Sequence, residues 1–275
     1  MPRTLPNFLI VGAMRSGTTS LARYLGAHPE VFIAARKEIH FFDLHFDRGL
    51  AWYAHHFARA GGKRAVGEAT PSYMYSERAV ARMARVVPQA RLITILRDPV
   101  DRAYSHYWLN RQGGRETLPF ADAIAAELEL EERGEPLVGR RRPYMRGGHY
   151  LGFLQALCRH FPRDALLVLI LEDMRDRPHE TFAAACRFLG VDDTFVPPNL
   201  GERINRFVAY RSMRLRYLAR RLPRPLHRVV ARLNVREAFY PPMDPATRTF
   251  LRERFTDDNA ALAAWLGRDL AVWSR

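Results

Sequence analysis

Apolar and polar positions along this chain follow two alternating periods. Phe8-Leu9-Ile10-Val11, Leu92-Ile93-Thr94-Ile95-Leu96 and Leu166 to Leu171 are short, nearly unbroken apolar runs, the pattern of strands buried on both faces. Elsewhere the apolar spacing changes to three and four. Thr18 to Ala27 predicts a helix with Leu21, Tyr24 and Leu25 on one face. Gly49 to Phe57, Ser76 to Val87, Phe120 to Glu132, Gly148 to Phe161 and Pro178 to Leu189 predict further helices. A last helix runs from Pro245 to Leu266, with a break near Thr256. Asp98-Pro99, directly after the second run, pairs an N-cap residue with proline at the first helical position. Strands alternating with helices predict an α/β fold, a parallel sheet flanked by helices.

Length and composition narrow the picture. At 275 residues, with 48% hydrophobic and 26% charged positions, the chain can bury a full core, and one domain over 1–275 is expected. It shows no repeats, no low-complexity linker and no apolar run long enough to cross a membrane. The N-terminal apolar core is too short for a signal peptide, so a cytoplasmic protein is expected. Cys158 and Cys186 fall in helical apolar patterns and read as buried free thiols without metal spacing.

Charge changes the picture more. Forty-three basic residues against 29 acidic give +14, and all but Lys37 and Lys63 of the basic residues are arginine. Such a balance fits an anionic partner: a nucleotide, a sulfated or phosphorylated substrate, nucleic acid or a membrane surface. Nucleic acid is set aside because no helix-turn-helix, zinc or single-strand stacking module is present. Nine arginines crowd Arg211 to Arg236, interleaved with Leu215, Leu218, Leu222 and Leu226. The favoured reading is a solvated helical pair whose leucines pack on the core. A lid over an anionic acceptor, or a peripheral contact with anionic lipid, are the functional alternatives. With the long loop Val191 to Tyr210, residues 191–240 read as one Arg-rich lid segment.

Two segments carry candidate chemistry. Gly12-Ala13-Met14-Arg15-Ser16-Gly17-Thr18-Thr19 follows the first strand and opens the first helix. Its glycine spacing and final threonine match a P-loop, except that Thr18 stands where the lysine belongs. Backbone N–H groups at a helix N-terminus, with the hydroxyls of Ser16, Thr18 and Thr19, suit an oxyanion. The cation has moved into the loop as Arg15, which disfavours a nucleoside triphosphatase. The alternative is a glycine turn with no ligand. In the second segment, Lys37-Glu38-Ile39-His40-Phe41-Phe42-Asp43, an extended chain places Glu38 and His40 on one side as candidate acid–base groups. Apolar neighbours there are expected to raise the carboxyl's pKa. The alternative is an ordinary ion pair, with Phe41 and Phe42 as core.

Taken together, these motifs resemble those of sulfotransferases that use 3′-phosphoadenosine 5′-phosphosulfate (PAPS). Gly12 to Thr19 resembles their 5′-phosphosulfate loop. Leu96-Arg97-Asp98-Pro99-Val100-Asp101-Arg102-Ala103-Tyr104-Ser105-His106-Tyr107 resembles their 3′-phosphate signature, which maps the phosphate contacts onto Arg97 and Ser105. Lys37 to Asp43 resembles the segment carrying the catalytic glutamate in the heparan sulfate 3-O- and N-sulfotransferase branch, with Glu38 at the matching position. Gly67-Glu68-Ala69-Thr70-Pro71-Ser72-Tyr73 resembles a further landmark of that branch, and Gly267-Arg268-Asp269-Leu270 the ending of many bacterial members. Arg15 replaces the loop lysine of the animal enzymes, and Ala69 replaces a basic residue of the 3-O enzymes.

The resemblance implies a single P-loop-like sulfotransferase domain. It makes Glu38 the general base for a hydroxyl or amine attacking sulfur, with His40 as the alternative base or an orienting group. Arg15, Ser16, Gly17, Thr18 and Thr19 would hold the 5′-phosphosulfate, with Arg97 and Ser105 on the 3′-phosphate. Arg211, with Arg203, Asn205 and Arg206, would lie near the adenine. Lys37, His40, Phe42 and Glu68 would face the substrate. PAPS is the implied co-substrate, no metal is implied, and the acceptor is open among carbohydrate, lipid and natural product. Glu172-Asp173 resembles a Walker B acid but reads as structural. A small-molecule P-loop kinase and a non-catalytic anion- or membrane-surface-binding protein are the competing readings.

Overall fold

In the computed structural model the apolar runs form a five-stranded parallel sheet of β1 (Phe8–Gly12), β2 (Val31–Ile33), β3 (Ala65–Ala69), β4 (Arg91–Leu96) and β5 (Leu166–Ile170), in the order β2-β3-β1-β4-β5. The structure describes residues 4–134, 143–202 and 241–274, and from the segment between them 208–210, 212, 215, 218–219, 222–223, 226, 229–230 and 233–237. Around the sheet run α1 (Thr18–Gly26), α2 (Gly49–His55), α3 (Glu77–Val86), α4 (Pro99–Gln112), α5 (Phe120–Glu132), α6 (Tyr150–Cys158), α7 (Leu171–Asp176), α8 (Pro178–Leu189) and α9 (Pro245–Leu266). A separate antiparallel pair joins β6 (Val208–Tyr210) to β7 (Val235–Glu237). Among the described residues no helix is long and apolar enough to cross a membrane. Cys158 and Cys186 are free, the second fully buried.

Alternation along the strands divides the core in two. Leu9, Val11, Leu92 and Leu96 face a cluster with Phe41, Phe42, Tyr53, Phe57, Tyr73 and Leu154. Phe8, Ile10, Ile93 and Ile95 face the opposite cluster, with Leu21, Leu25, Phe182 and Leu189. A third cluster joins α4, α5 and α9 through Val100, Tyr107, Ile124, Leu251 and Phe255. α4 starts as its sequence demands: Asp98 caps it by accepting from the N–H groups of Val100 and Asp101, and Pro99 fills the first turn.

The structure departs from the sequence reading at several places, among them β6, which falls at the end of the expected loop Val191 to Tyr210, and Cys158, which is half-buried rather than buried. β3 was not expected, because Ala-Val-Gly-Glu-Ala lacks the branched apolar run of its neighbours. It lies buried along its whole length all the same, with Gly67 beneath the Phe8 ring, where a Cβ would come within 2.5 Å of Cζ. α7 was also unforeseen. Its Glu172 accepts from the Asp98 N–H and from Trp273 Nε1, in line with the structural reading of Glu172-Asp173. α9 is continuous through Thr256, whose hydroxyl donates back to the Arg252 carbonyl within the helix. Finally, Leu215, Leu218, Leu222 and Leu226 do not pack on the core, being between 40% and 60% exposed.

Candidate active site

β1 and β4 are neighbours, and the segments leaving their C-terminal ends, Gly12–Thr19 and Arg97–Ser105, meet above the sheet edge. In open α/β sheets this edge is where ligands bind. The Ala13 N–H donates to the Ile95 carbonyl, tying the loop to β4. Two glycines are dictated by geometry. A Cβ on Gly12 would lie 1.8 Å from Met74 Sδ, and Gly17 has φ +95°, the left-handed conformation that glycine adopts without strain. Gly17 caps α1 without any side-chain hydrogen bond, which leaves the first N–H groups of the helix available to an anion.

Arg15 sits in this turn at φ +70°, and its Nε donates to Ser105 Oγ at 3.0 Å, joining residues 90 positions apart. Arg97 reaches the Arg15 carbonyl through Nη1 at 3.4 Å and lies 3.6 Å from Asp101 through Nη2. Its Nε is buried without a hydrogen bond among the described residues. Ser16 and Thr18 are buried and Thr19 half-buried beside them. Two guanidinium groups, a serine hydroxyl and an uncapped helix N-terminus form a donor set suited to phosphate and sulfonate oxygens. Arg211, Arg203, Asn205 and Arg206 lie outside the described residues.

Glu38 and His40 come together by a route the sequence did not show. Neither is extended: φ is +54° and +56°, a left-handed pair bracketing the fully buried Ile39. His40 Nε2 lies 3.6 Å from Glu38 Oε2, and Lys37 Nζ lies 3.7 Å from Glu38 Oε1. His40 Nδ1 lies 3.0 Å from Asp43 Oδ2, which also accepts from Ser72 Oγ at 2.6 Å. Asp43 was quoted in the sequence motif without a role; its three-residue spacing from His40 was the available signal. The His40 imidazole, aided by Lys37, holds the Glu38 carboxyl below its ordinary value against the opposing effect of burial. The expectation of a raised Glu38 pKa is thereby overturned, because the hydrogen bond from His40 and the charge of Lys37 outweigh the effect of burial. Asp43, and then Glu38, push His40 up to about 9.

The sign of this linkage sets a pH window. His40 is raised in the folded chain, so its contribution to stability is complete below 6.5 and is lost as pH rises through about 9. Glu38 and Asp43 are depressed, so theirs is present above the ordinary carboxylate range and lost as pH falls. An NMR titration of the His40 ring is expected to show a midpoint near 9 that Asp43→Asn moves back toward 6.5. A wild-type midpoint at the ordinary histidine value would show that the pairing does not form in solution.

Two expected substrate contacts are corrected. Glu68 is buried, with 1% of its surface exposed. It accepts from Tyr53 and Tyr73 at Oε1 and from Thr70 at Oε2, at 2.9, 2.9 and 2.6 Å. Burial raises its pKa against these donors and the Ile39 N–H. Phe42 has no exposed surface and packs edge-on against Tyr53 and Tyr73. Neither reaches an acceptor. Glu68 instead organises the loop above it. The Glu38 N–H donates to the Ala69 carbonyl, the His40 N–H to Thr70 Oγ1, and the Phe41 N–H to the Tyr73 hydroxyl. Lys37 is exposed and Glu38 and His40 are half-exposed, so these three do face outward. Among the described residues, no group of three or more His, Cys, Asp or Glu side chains is arranged to hold a metal ion.

A family model for the sulfotransferase domain matches residues 5–219. The chain belongs to this sulfotransferase family. The chain is 32% identical over 189 residues to human heparan sulfate glucosamine 3-O-sulfotransferase 3B1, a match covering 69% of this chain and 47% of that protein. It is 29% identical over 287 aligned residues to human bifunctional heparan sulfate N-deacetylase/N-sulfotransferase 3, covering 98% of this chain and 31% of that protein. It therefore spans less than half the length of these curated relatives. Its fold matches the crystal structure of a sulfotransferase from Alicyclobacillus acidocaldarius with a TM-score of 0.75 and 29% identity, over 99% of this chain and all of that one. The chain thus carries a sulfotransferase-family domain on an α/β fold.

Proposed function

We propose that the enzyme takes its sulfonate from PAPS and delivers it to a hydroxyl or amine, with Glu38 as the base. The observation that carries this reading is the hydrogen bond from Arg15 to Ser105, which draws the phosphate loop and the Arg97–Ser105 segment into one anion site. In this reading the loop N–H groups, Thr18 and Thr19 hold the 5′ end of the donor, and Arg97 with Ser105 holds the 3′-phosphate. Glu38, ionised and half-exposed, accepts the proton as the acceptor oxygen or nitrogen bonds to sulfur. The bond from sulfur to the bridging oxygen breaks, and Arg15 meets the negative charge that grows there, an electrostatic stabilisation placed where the charge develops. The proton leaves on Glu38, and 3′-phosphoadenosine 5′-phosphate leaves from the loop.

The relatives named above for N-sulfation and 3-O-sulfation of heparan sulfate support an acceptor of carbohydrate class, through either an amine or a hydroxyl. Calorimetric titration tests the donor assignment. Wild type is expected to bind 3′-phosphoadenosine 5′-phosphate more tightly than adenosine 5′-phosphate or ATP with Mg²⁺. Arg97→Ala is expected to weaken that binding by about tenfold or more, the loss of a charge-assisted phosphate contact. Equal affinity for ATP with Mg²⁺, or a bisphosphate affinity that ignores Arg97, would sink the assignment.

A further inference from the structure

None of the described residues between β6 and β7 is among the site residues named above. Its two ends are clamped together. The Ser212 N–H donates to Asn234 Oδ1 and Asn234 Nδ2 donates to the Ser212 carbonyl, both at 2.8 Å. Beside this clamp β6 and β7 pair with Tyr210 opposite Val235, and Asn234 is buried. The chain from Ser212 to Asn234 is therefore an excursion closed at its base. Its described residues 215, 218–219, 226, 229–230 and 233 have helical backbone.

Leu215, Leu218, Leu222, Leu226, Val229 and Leu233 recur along it every three or four residues, in two helical pieces either side of Leu222 and Pro223, which are not helical. They are 42%, 60%, 40%, 53%, 56% and 70% exposed. A face meant only for water carries polar side chains at such positions, and an apolar run of this kind marks a contact surface. The charge around it is equally one-sided. From Arg203 to Arg236 the sequence holds eleven arginines and no aspartate or glutamate.

We propose that this excursion docks the enzyme on an anionic lipid surface, the exposed leucines entering the boundary between headgroups and acyl chains. Two features choose this occupant. A second copy of the chain would set one acid-free, arginine-rich stretch against another, and like charges repel across such a contact. A sulfated polysaccharide would answer the charge but offers no apolar interior to the six exposed side chains. A bilayer bearing phosphatidylserine answers both, since arginines gain from the surface potential while leucines leave water. This inference does not depend on which donor the enzyme uses.

Co-sedimentation of the full chain with vesicles tests it. Binding to phosphatidylcholine vesicles containing phosphatidylserine is expected to exceed binding to pure phosphatidylcholine by about tenfold or more, and to fall with salt. The double substitution Leu218→Ser with Leu226→Ser keeps every charge and is expected to weaken vesicle binding by about tenfold or more. Circular dichroism and thermal unfolding report whether that variant is folded as wild type is. Vesicle binding unchanged by the two substitutions would overturn the proposal. So would binding to soluble heparin but not to vesicles, or a concentration-dependent dimer in sedimentation that the leucine substitutions abolish.

Discussion

Glu38→Gln is expected to lower kcat by about 10²- to 10⁴-fold, the range over which a single general base contributes. The substitution keeps the size of the side chain and its ability to accept one hydrogen bond, but removes the site that takes the proton. In the proposed reading Glu38 serves the acceptor while Arg15, Arg97 and Ser105 hold the donor, so titration with 3′-phosphoadenosine 5′-phosphate is expected to give an affinity close to wild type. The separation of the two effects is the test, and it is read by pairing kinetics with calorimetry. Retention of most of the activity would remove Glu38 as base and move attention to His40. His40 is a poorer candidate as the structure stands. Held protonated by Asp43 and Glu38 with a pKa of about 9, it has no free lone pair with which to accept a proton at neutral pH.

Glu68→Ala is expected to cost on the order of 3 kcal/mol of stability or more, measured by denaturant unfolding, because it strands three buried hydroxyls and leaves a cavity. Tyr53, Tyr73 and Thr70 all donate to this one carboxylate. The more informative comparison is between the two tyrosines. Each gives Glu68 one hydrogen bond of 2.9 Å, but only the Tyr73 hydroxyl also accepts from the Phe41 N–H, and so of the two tyrosines only Tyr73 links the carboxylate to the loop bearing Glu38. Tyr73→Phe is expected to lower kcat several-fold more than Tyr53→Phe while donor affinity stays level in both. Equal losses in the two variants would mean that Glu68 supports only the core and not the aim of the catalytic loop.

How much of this was legible in the sequence follows from what each residue needs in order to act. β1, β4 and β5 were readable because strands buried on both faces must be apolar throughout. β3 was not, because its burial rests on glycine beneath a phenylalanine ring and on a glutamate held by three hydroxyls, two of them from β3's own C-terminal flank. The turn Gly12–Thr19 at the start of α1 was readable from glycine spacing and helix position. The joining of Arg97 to Ser105 came from the family resemblance, and the structure supplies its physical form: both contact Arg15. The segment Lys37–Asp43 was readable as chemistry but not as geometry. Phe42 shares a motif with the exposed Lys37, whereas Gly67–Tyr73 is buried apart from half-buried Ser72, and only the packing of α2 and the turn at Tyr73 shows that Phe42 and Glu68 point inward. The exposed leucines near the β6–β7 pair were misassigned for the same reason, since helical periodicity identifies a face without saying what lies against it.

The left-handed backbone at Glu38 and His40 restricts which other amino acids these two positions can accept. Most side chains pay a conformational penalty there, β-branched ones above all, while glycine, asparagine and aspartate pay little. A library that randomises both codons therefore samples two filters at once, chemical competence and tolerance of the turn. Many inactive members would owe their failure to the turn alone. Variation that changes the reaction without losing the loop is confined to a short vocabulary, and asparagine at position 40 is its most accessible word.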